Sequence, residues 1–281
     1  MLLGHEQVCN YHCTFCSSRP GYPKESPEVV NAGYENIYNK LKPVLPHIKR
    51  IGANGNGELF TSKYTLKMLS EWKPIAPVEE CSAALETNGS LFDAEHWKQI
   101  ENLGQYNLRV AITVTSFEDY TYKLLSGTTL PVQQVIDNLH FVKSLREKGI
   151  INHLQIATVV QERNFWQMPE FTRRCIEEFG ADSVRLRPYQ PHGINNAVQV
   201  WFTELRNPHH PYHEEYKRVI QDPIFKHPKV SDWGLWNESH TPDLLPFLLR
   251  KGKMKAFKTV ASEVSTWPLL LAKKAVKRIF G

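Results

Sequence analysis

The chain has 281 residues, 41% hydrophobic and 22% charged, with a formal net charge of +5. That is the composition of a soluble globular protein large enough for one domain, or one domain and a smaller appendage. No apolar stretch is long enough to span a bilayer. Met1 to Glu6 lacks the basic start and apolar run of a secretion signal, and five mostly clustered cysteines suit a reducing cytoplasm better than a disulfide framework.

Taken in order, β-type segments alternate with helical patterns. Strands are predicted over Leu2 to Val8, His47 to Ala53, Cys81 to Thr87, Asn107 to Thr115, Leu154 to Val160 and Ser183 to Pro188. The first helix is predicted over Glu28 to Leu45, after the cap Ser26-Pro27, and a shorter one over Tyr64 to Trp72. Further helices are predicted over Asp93 to Leu103, Val132 to Lys148, Phe165 to Phe179 and Glu214 to Gln221. Strand starts recur at the spacing of βαβ units, so the expected fold class is α/β with six parallel strands in a partial barrel or open sheet. Ligands of such sheets gather at the carboxyl ends of the strands.

The loop after the first strand is Cys9-Asn10-Tyr11-His12-Cys13-Thr14-Phe15-Cys16, a C-x3-C-x2-C spacing. Three thiols so close together make sense as ligands of one soft metal centre. Structural zinc normally takes four ligands and no second pair follows, whereas an iron-sulfur cube held by three thiolates keeps one iron open for chemistry. The triplet alone leaves both metals open. Cys81 and Cys175 stand apart and read as structural thiols.

The loop resembles that of the radical SAM superfamily, in which Asn follows the first cysteine and an aromatic precedes the last, as Asn10 and Phe15 do here. The resemblance covers about Met1 to Gly193 and implies a partial (β/α)6 TIM-type barrel. It also implies that Cys9, Cys13 and Cys16 bind a 4Fe-4S cluster whose fourth iron is chelated by S-adenosylmethionine. After the second strand, Asn56-Gly57-Glu58 resembles the family's Gly-Gly-Glu motif with its first glycine replaced, making Glu58 the candidate for the methionine amino group. Thr87-Asn88-Gly89 resembles the Thr-Asn-Gly that follows the third strand. The cofactor-binding candidates are thus Phe15, Gly57, Glu58, Thr87 and Asn88, joined by Thr113 and Thr115 for the ribose and Arg187 for an anionic group.

Bland readings stand beside these. Asn-Gly is a turn signal and threonine is common in strands. Arg185 and Arg187 share one strand face, where they can meet an anion of cofactor or substrate or else remain solvated. His209, His210 and His213 lie among prolines and read as turn residues rather than a second metal site.

The expected domains are the barrel over 1–193, a barrel-covering extension over 194–248 and a basic tail over 249–281. Arg250 to Gly281 holds nine Lys or Arg and one acid, Glu263, so this tail carries +8 and the remainder −3. Leu269, Ala272, Val276 and Phe280 recur at helical spacing beside Lys273, Lys274, Lys277 and Arg278, the pattern of a basic amphipathic helix on an anionic membrane surface. The expected protein is therefore cytoplasmic, with a peripheral hold on the membrane's inner face, and nucleic acid is not an expected partner.

The resemblance implies a single-cluster radical SAM enzyme that draws an electron from an external donor and abstracts hydrogen from a polar substrate. A sugar or glycan precursor of surface-polysaccharide biosynthesis is favoured, and a peptide is the enzymatic alternative. A noncatalytic metal-binding or redox-sensing protein is the alternative from another class. No catalytic acid, base or hydrogen donor can be named from the sequence.

Overall fold

The computed structural model describes residues 1–16, 26–53, 56–191, 195, 197–237, 239, 246, 250, 253–264 and 276–277. Its strands are β1 (Leu2–Leu3), β2 (Arg50–Ala53), β3 (Ser82–Thr87), β4 (Asn107–Thr113), β5 (His153–Val160), β6 (Ser183–Pro188) and β7 (Val230–Asp232). They form one parallel sheet in sequence order, β1 to β7, which does not close on itself. The helices are α1 (Pro27–Leu41), α2 (Lys63–Glu71), α3 (Ala94–Trp97), α4 (Asp119–Ser126), α5 (Val132–Glu147), α6 (Met168–Glu177), α7 (Ala197–Thr203) and α8 (His213–Val219), with a later one over Lys253–Val264.

The α/β partial barrel is present with a seventh strand beyond the six expected. The expected first helix is shorter, because Pro43 and Pro46 lack backbone donors and disfavour α geometry before them; Lys42–His47 winds as a 3-10 turn instead. Strand β1 stops at Leu3 because the backbone beyond it bonds to the loop after β2: Asn56 Nδ2 donates to the Gly4 carbonyl at 2.7 Å and Glu58 N to that of Val8 at 2.7 Å. Similarly, β4 stops at Thr113, and the Thr115 carbonyl accepts from Asn164 Nδ2 at 2.9 Å. Helices α4 and α7 were not expected. The tail helix predicted over 268–280 lies outside the described residues, save for Val276 and Lys277, which are helical. No described helix is long and apolar enough to cross a membrane.

The two sheet faces differ in kind. On one, Ala83, Leu85, Leu108, Val110, Ile112, Leu154, Ile156, Val184 and Leu186 are buried, packing with apolar residues of the helices such as Val135, Leu139 and Phe171. The other, inner face carries Ser82, Glu86, Arg109, Thr113, Gln155, Ser183, Arg185 and Arg187, aligned by the register of neighbouring strands. Charged side chains do not fill a dry core, so this face is a polar wall.

At the floor of the sheet Asp182 binds α5 to the starts of β5 and β6. Its carboxylate accepts from Arg146 Nε at 2.7 Å, Arg146 Nη2 at 2.9 Å and Leu154 N at 2.8 Å. Chiefly through Arg146, its pKa is held below the ordinary value. A depressed carboxylate stabilises the fold above its unfolded pKa and loses that contribution as pH falls through the folded one. Asp182→Ala is therefore expected to cost about 1–3 kcal/mol in urea unfolding at pH 7, with the gap from the parent narrowing below pH ~4.

Candidate functional site

The cysteine loop leaves β1 and is gripped from two sides. His12 N donates to the Ser126 carbonyl and Thr14 N to the Leu125 carbonyl, each at 3.0 Å, so the last turn of α4 supplies its free carbonyls to the loop. Gly127 closes that helix in the left-handed region, at φ 58°, and a Cβ there would lie 2.3 Å from the His12 carbonyl oxygen. Tyr11, buried, pairs its hydroxyl with that of Tyr122 on α4. Burial pushes the Tyr11 phenol up to about 12, keeping it neutral at physiological pH.

Cys9, Cys13 and Cys16 are half-buried, and none of the five cysteines is in a disulfide. The Cys9 thiol accepts from Tyr11 N at 3.4 Å; burial raises its pKa, that backbone donor lowers it, and Cys16 is close enough to contribute to the rise. Among the described residues no three His, Cys, Asp or Glu side chains are already drawn together as a ligand set. The donor chemistry nonetheless fits a soft metal centre, because three partly exposed thiols share a loop fixed at both backbone flanks.

The second grip comes from the loop after β2. A Cβ on Gly57 would lie 2.5 Å from the Val8 carbonyl oxygen and 2.6 Å from that of Glu6, so only glycine allows this approach. Thr61 Oγ1 also donates to the Val8 carbonyl, at 3.1 Å. Glu58, next in the chain, is 1% exposed. Its carboxylate accepts from Thr87 Oγ1 at 2.5 Å, Asn88 N at 2.7 Å and, more weakly, Phe60 N at 3.4 Å. Burial raises its pKa against the opposing pull of these donors.

Asn88 joins the two grips. Its Nδ2 donates to Asn10 Oδ1 at 2.9 Å, Asn10 Nδ2 donates to Ser90 Oγ at 2.9 Å, and Ser90 Oγ returns to Asn88 Oδ1 at 2.6 Å. The residue after the first cysteine is thus locked to the end of β3. Glu58 lies near enough for its charge to act on Cys9. The structure therefore gathers Cys9, Gly57, Glu58, Thr87 and Asn88 into one constellation, with Cys13, Phe15 and Cys16 on the same loop.

Other sequence candidates fall elsewhere. Thr113 is half-buried on the inner face of β4, whereas Thr115 is 3% exposed and pairs its hydroxyl with Ser126 Oγ at 2.9 Å, beneath the cysteine loop. Arg187 lies on the inner face of β6, and burial lowers its pKa. His210 and His213 spend ring nitrogens on the carbonyls of Phe202 and Leu205, each at 2.9 Å. Cys175 is fully buried within α6, its thiol raised well above the usual range by burial. Sequence reasoning missed Ser90, Gly127 and Asn195; Asn195 Nδ2 donates to Tyr189 Oη at 2.8 Å and to the Thr14 carbonyl at 3.4 Å, linking the end of β6 to the cysteine loop. The one signal for Gly127 was a glycine closing an apolar-polar stretch, Asp119 to Ser126.

No protein-family model matches the chain, and no curated protein sequence matches it. Among solved structures, Streptococcus suis SuiB bound to S-adenosylmethionine aligns at a TM-score of 0.55 and 13% identity, over 86% of this chain and 52% of SuiB. A second SuiB structure aligns at 0.55 and 13%, over 83% and 49%. The fold is that of the radical SAM enzymes. This chain spans about half the length of SuiB. In this radical SAM fold the cysteine loop stands at the carboxyl end of the sheet, between β1 and α1, with the ends of β2 and β3 on one side and α4 on another.

Proposed function

We propose that the chain is a radical SAM enzyme holding a 4Fe-4S cluster through Cys9, Cys13 and Cys16, with S-adenosylmethionine beside Glu58 and Asn88. The observation that supports this best is the hydrogen-bonded link from Asn10 of the cysteine loop through Asn88 to Glu58. The bound cluster and cofactor together supply a 5'-deoxyadenosyl radical able to abstract hydrogen from an unactivated C–H bond.

The chain's own residues position and enclose. Glu58, carboxylate-bearing and nearly dry, orients the cofactor's amino group, and Asn88 fixes the approach of the loop. Gly57 keeps the backbone open for a close approach. Phe15 flanks the last cysteine, Thr87 holds Glu58 in its rotamer, and Thr113 stands on the ribose side. An external donor supplies the electron. The polar inner face suits a hydroxylated substrate, a sugar or glycan precursor, with a peptide as the alternative. The +8 tail, residues 250–281, gives a cytoplasmic enzyme a peripheral hold on an anionic membrane.

Reconstituted anaerobically with iron and sulfide and given S-adenosylmethionine and a strong reductant, the chain is expected to release 5'-deoxyadenosine, and Cys13→Ala to release none. A cluster that forms without cofactor cleavage would favour a redox sensor. Zinc in place of a cluster would overturn the assignment.

A further inference from the structure

The inner face carries more positive charge than the cofactor explains. On the inner positions of β2 to β7 stand Arg50, Arg109, Arg185 and Arg187 against one acid, Glu86, and burial lowers the pKa of His153 on the same face. Arg50 and Arg109 are exposed at the floor of the sheet. Arg185 and Arg187 sit higher and half-buried on β6, and their Nε atoms are buried with no hydrogen-bond acceptor among the described residues. Gln161, which follows β5, likewise has a buried Nε2 without a partner there. The register sets Val159 beside Arg187, so Gln161 and the two arginines belong to neighbouring stretches of one wall.

Buried donors without acceptors are costly unless a ligand supplies the acceptors. The guanidinium carbon of Arg185 also lies over Trp233, 4.5 Å from the ring centroid, a contact that holds the charge on this wall. Toward the loop, Tyr189 is two residues beyond Arg187, about 7 Å along an extended chain, and bonds through Asn195 to the Thr14 carbonyl. A group bound on this wall therefore lies just below the cysteine loop.

We propose that Arg185, Arg187 and Gln161 form an oxyanion subsite that takes a phosphoryl group of the substrate. Two guanidinium forks offer paired donors matched to phosphate geometry, and a dianion balances both charges. The assignment to substrate rests on the radical SAM reading, under which the cofactor would bring a cationic sulfonium and would spend its one carboxylate on the cluster held by Cys9, Cys13 and Cys16. The substrate class is thus a phosphorylated or diphosphate-linked molecule whose reacting carbon lies on the loop side of its phosphate.

The test titrates inorganic phosphate, with acetate in parallel, into the full cluster-free chain by calorimetry, and S-adenosylmethionine into the reconstituted protein. Phosphate is expected to bind more tightly than acetate, to weaken about tenfold or more in Arg187→Gln and in Arg185→Gln, and to recover partly in Arg187→Lys. Arg187, a cofactor candidate by sequence, is here given to the substrate's phosphate instead, so cofactor affinity is expected to stay within about threefold of the parent. If a glutamine variant does not fold, the lysine variants at 185 and 187 carry the comparison through their loss of paired donors. Phosphate affinity unchanged by substitution, or acetate binding equally well, would overturn the proposal. So would a tenfold loss of cofactor affinity, which would give the arginines to S-adenosylmethionine. Because the phosphate arm uses protein without a cluster, its failure leaves the radical chemistry standing, and absent cofactor cleavage leaves the anion subsite standing.

Discussion

Glu58→Gln is expected to leave the chain folded and to weaken S-adenosylmethionine binding about 10- to 100-fold, the size of a lost hydrogen bond to a charged group. The amide can keep an oxygen toward Asn88 N and turn its nitrogen to Thr87 Oγ1, which then accepts; shape survives and charge does not. Glu58→Ala strands the Asn88 N–H donor and frees the Thr87 hydroxyl, and is expected to cost roughly 2–5 kcal/mol in urea unfolding. The pH dependence is also specific. Burial raises the folded pKa above 4.5, so the folded state holds this proton more tightly than the unfolded chain. That contribution is full below pH ~4.5 and is lost as pH rises through the folded value. Glu58→Gln should therefore gain stability relative to the parent between pH 5 and pH 8; a gap independent of pH would show that Glu58 is not desolvated as described.

Gly127→Ala should damage the proposed cluster site from outside it. A left-handed residue with a side chain costs roughly 1–3 kcal/mol, and here the new Cβ also falls on the His12 carbonyl. The cysteine loop must shift or α4 must unwind its last turn. Iron retained after reconstitution and gel filtration is expected to fall toward that of Cys13→Ala. Gly149→Ala separates strain from collision: Gly149 is also left-handed, at φ 73°, but a Cβ there meets nothing within 4 Å. It should lose comparable stability and keep its iron. Equal iron loss in both variants would mean that general destabilisation, not the loop contact, empties the site.

The parts of the fold legible in the sequence were those with a strong local signature. Strands β3 to β6 alternate apolar and polar residues along most of their length, and their ends were placed within two residues. Strand β7 has only three residues, Val230–Asp232, inside a stretch where prolines and tryptophans hide any alternation. Within the site, Cys9, Glu58 and Asn88 were readable because spacing and motif marked each of them. The structure adds what joins them: Asn10 to Asn88 spans 78 positions and Thr87 to Glu58 spans 29. Thr115 shows what a local pattern leaves out. Its hydroxyl was a reasonable ribose contact by position, yet the turn of the chain after β4 directs it to Ser126. No local pattern encodes such a choice, because it depends on where a separate helix ends.

The hold of α4 on the cysteine loop also bears on the order of assembly during synthesis. Tyr11 and Tyr122 are 111 positions apart. At about 5–20 residues per second, roughly 5 to 20 s elapse between translation of the cysteines and translation of the helix that anchors them. Until then the three thiols lack the hold of α4 and have at most that of the loops after β2 and β3, which leaves them open to oxidation or to whichever soft metal arrives first. The nascent chain can gain its native loop only after β4 and α4 have been made, so a cluster of the kind proposed would be loaded late in the life of the polypeptide.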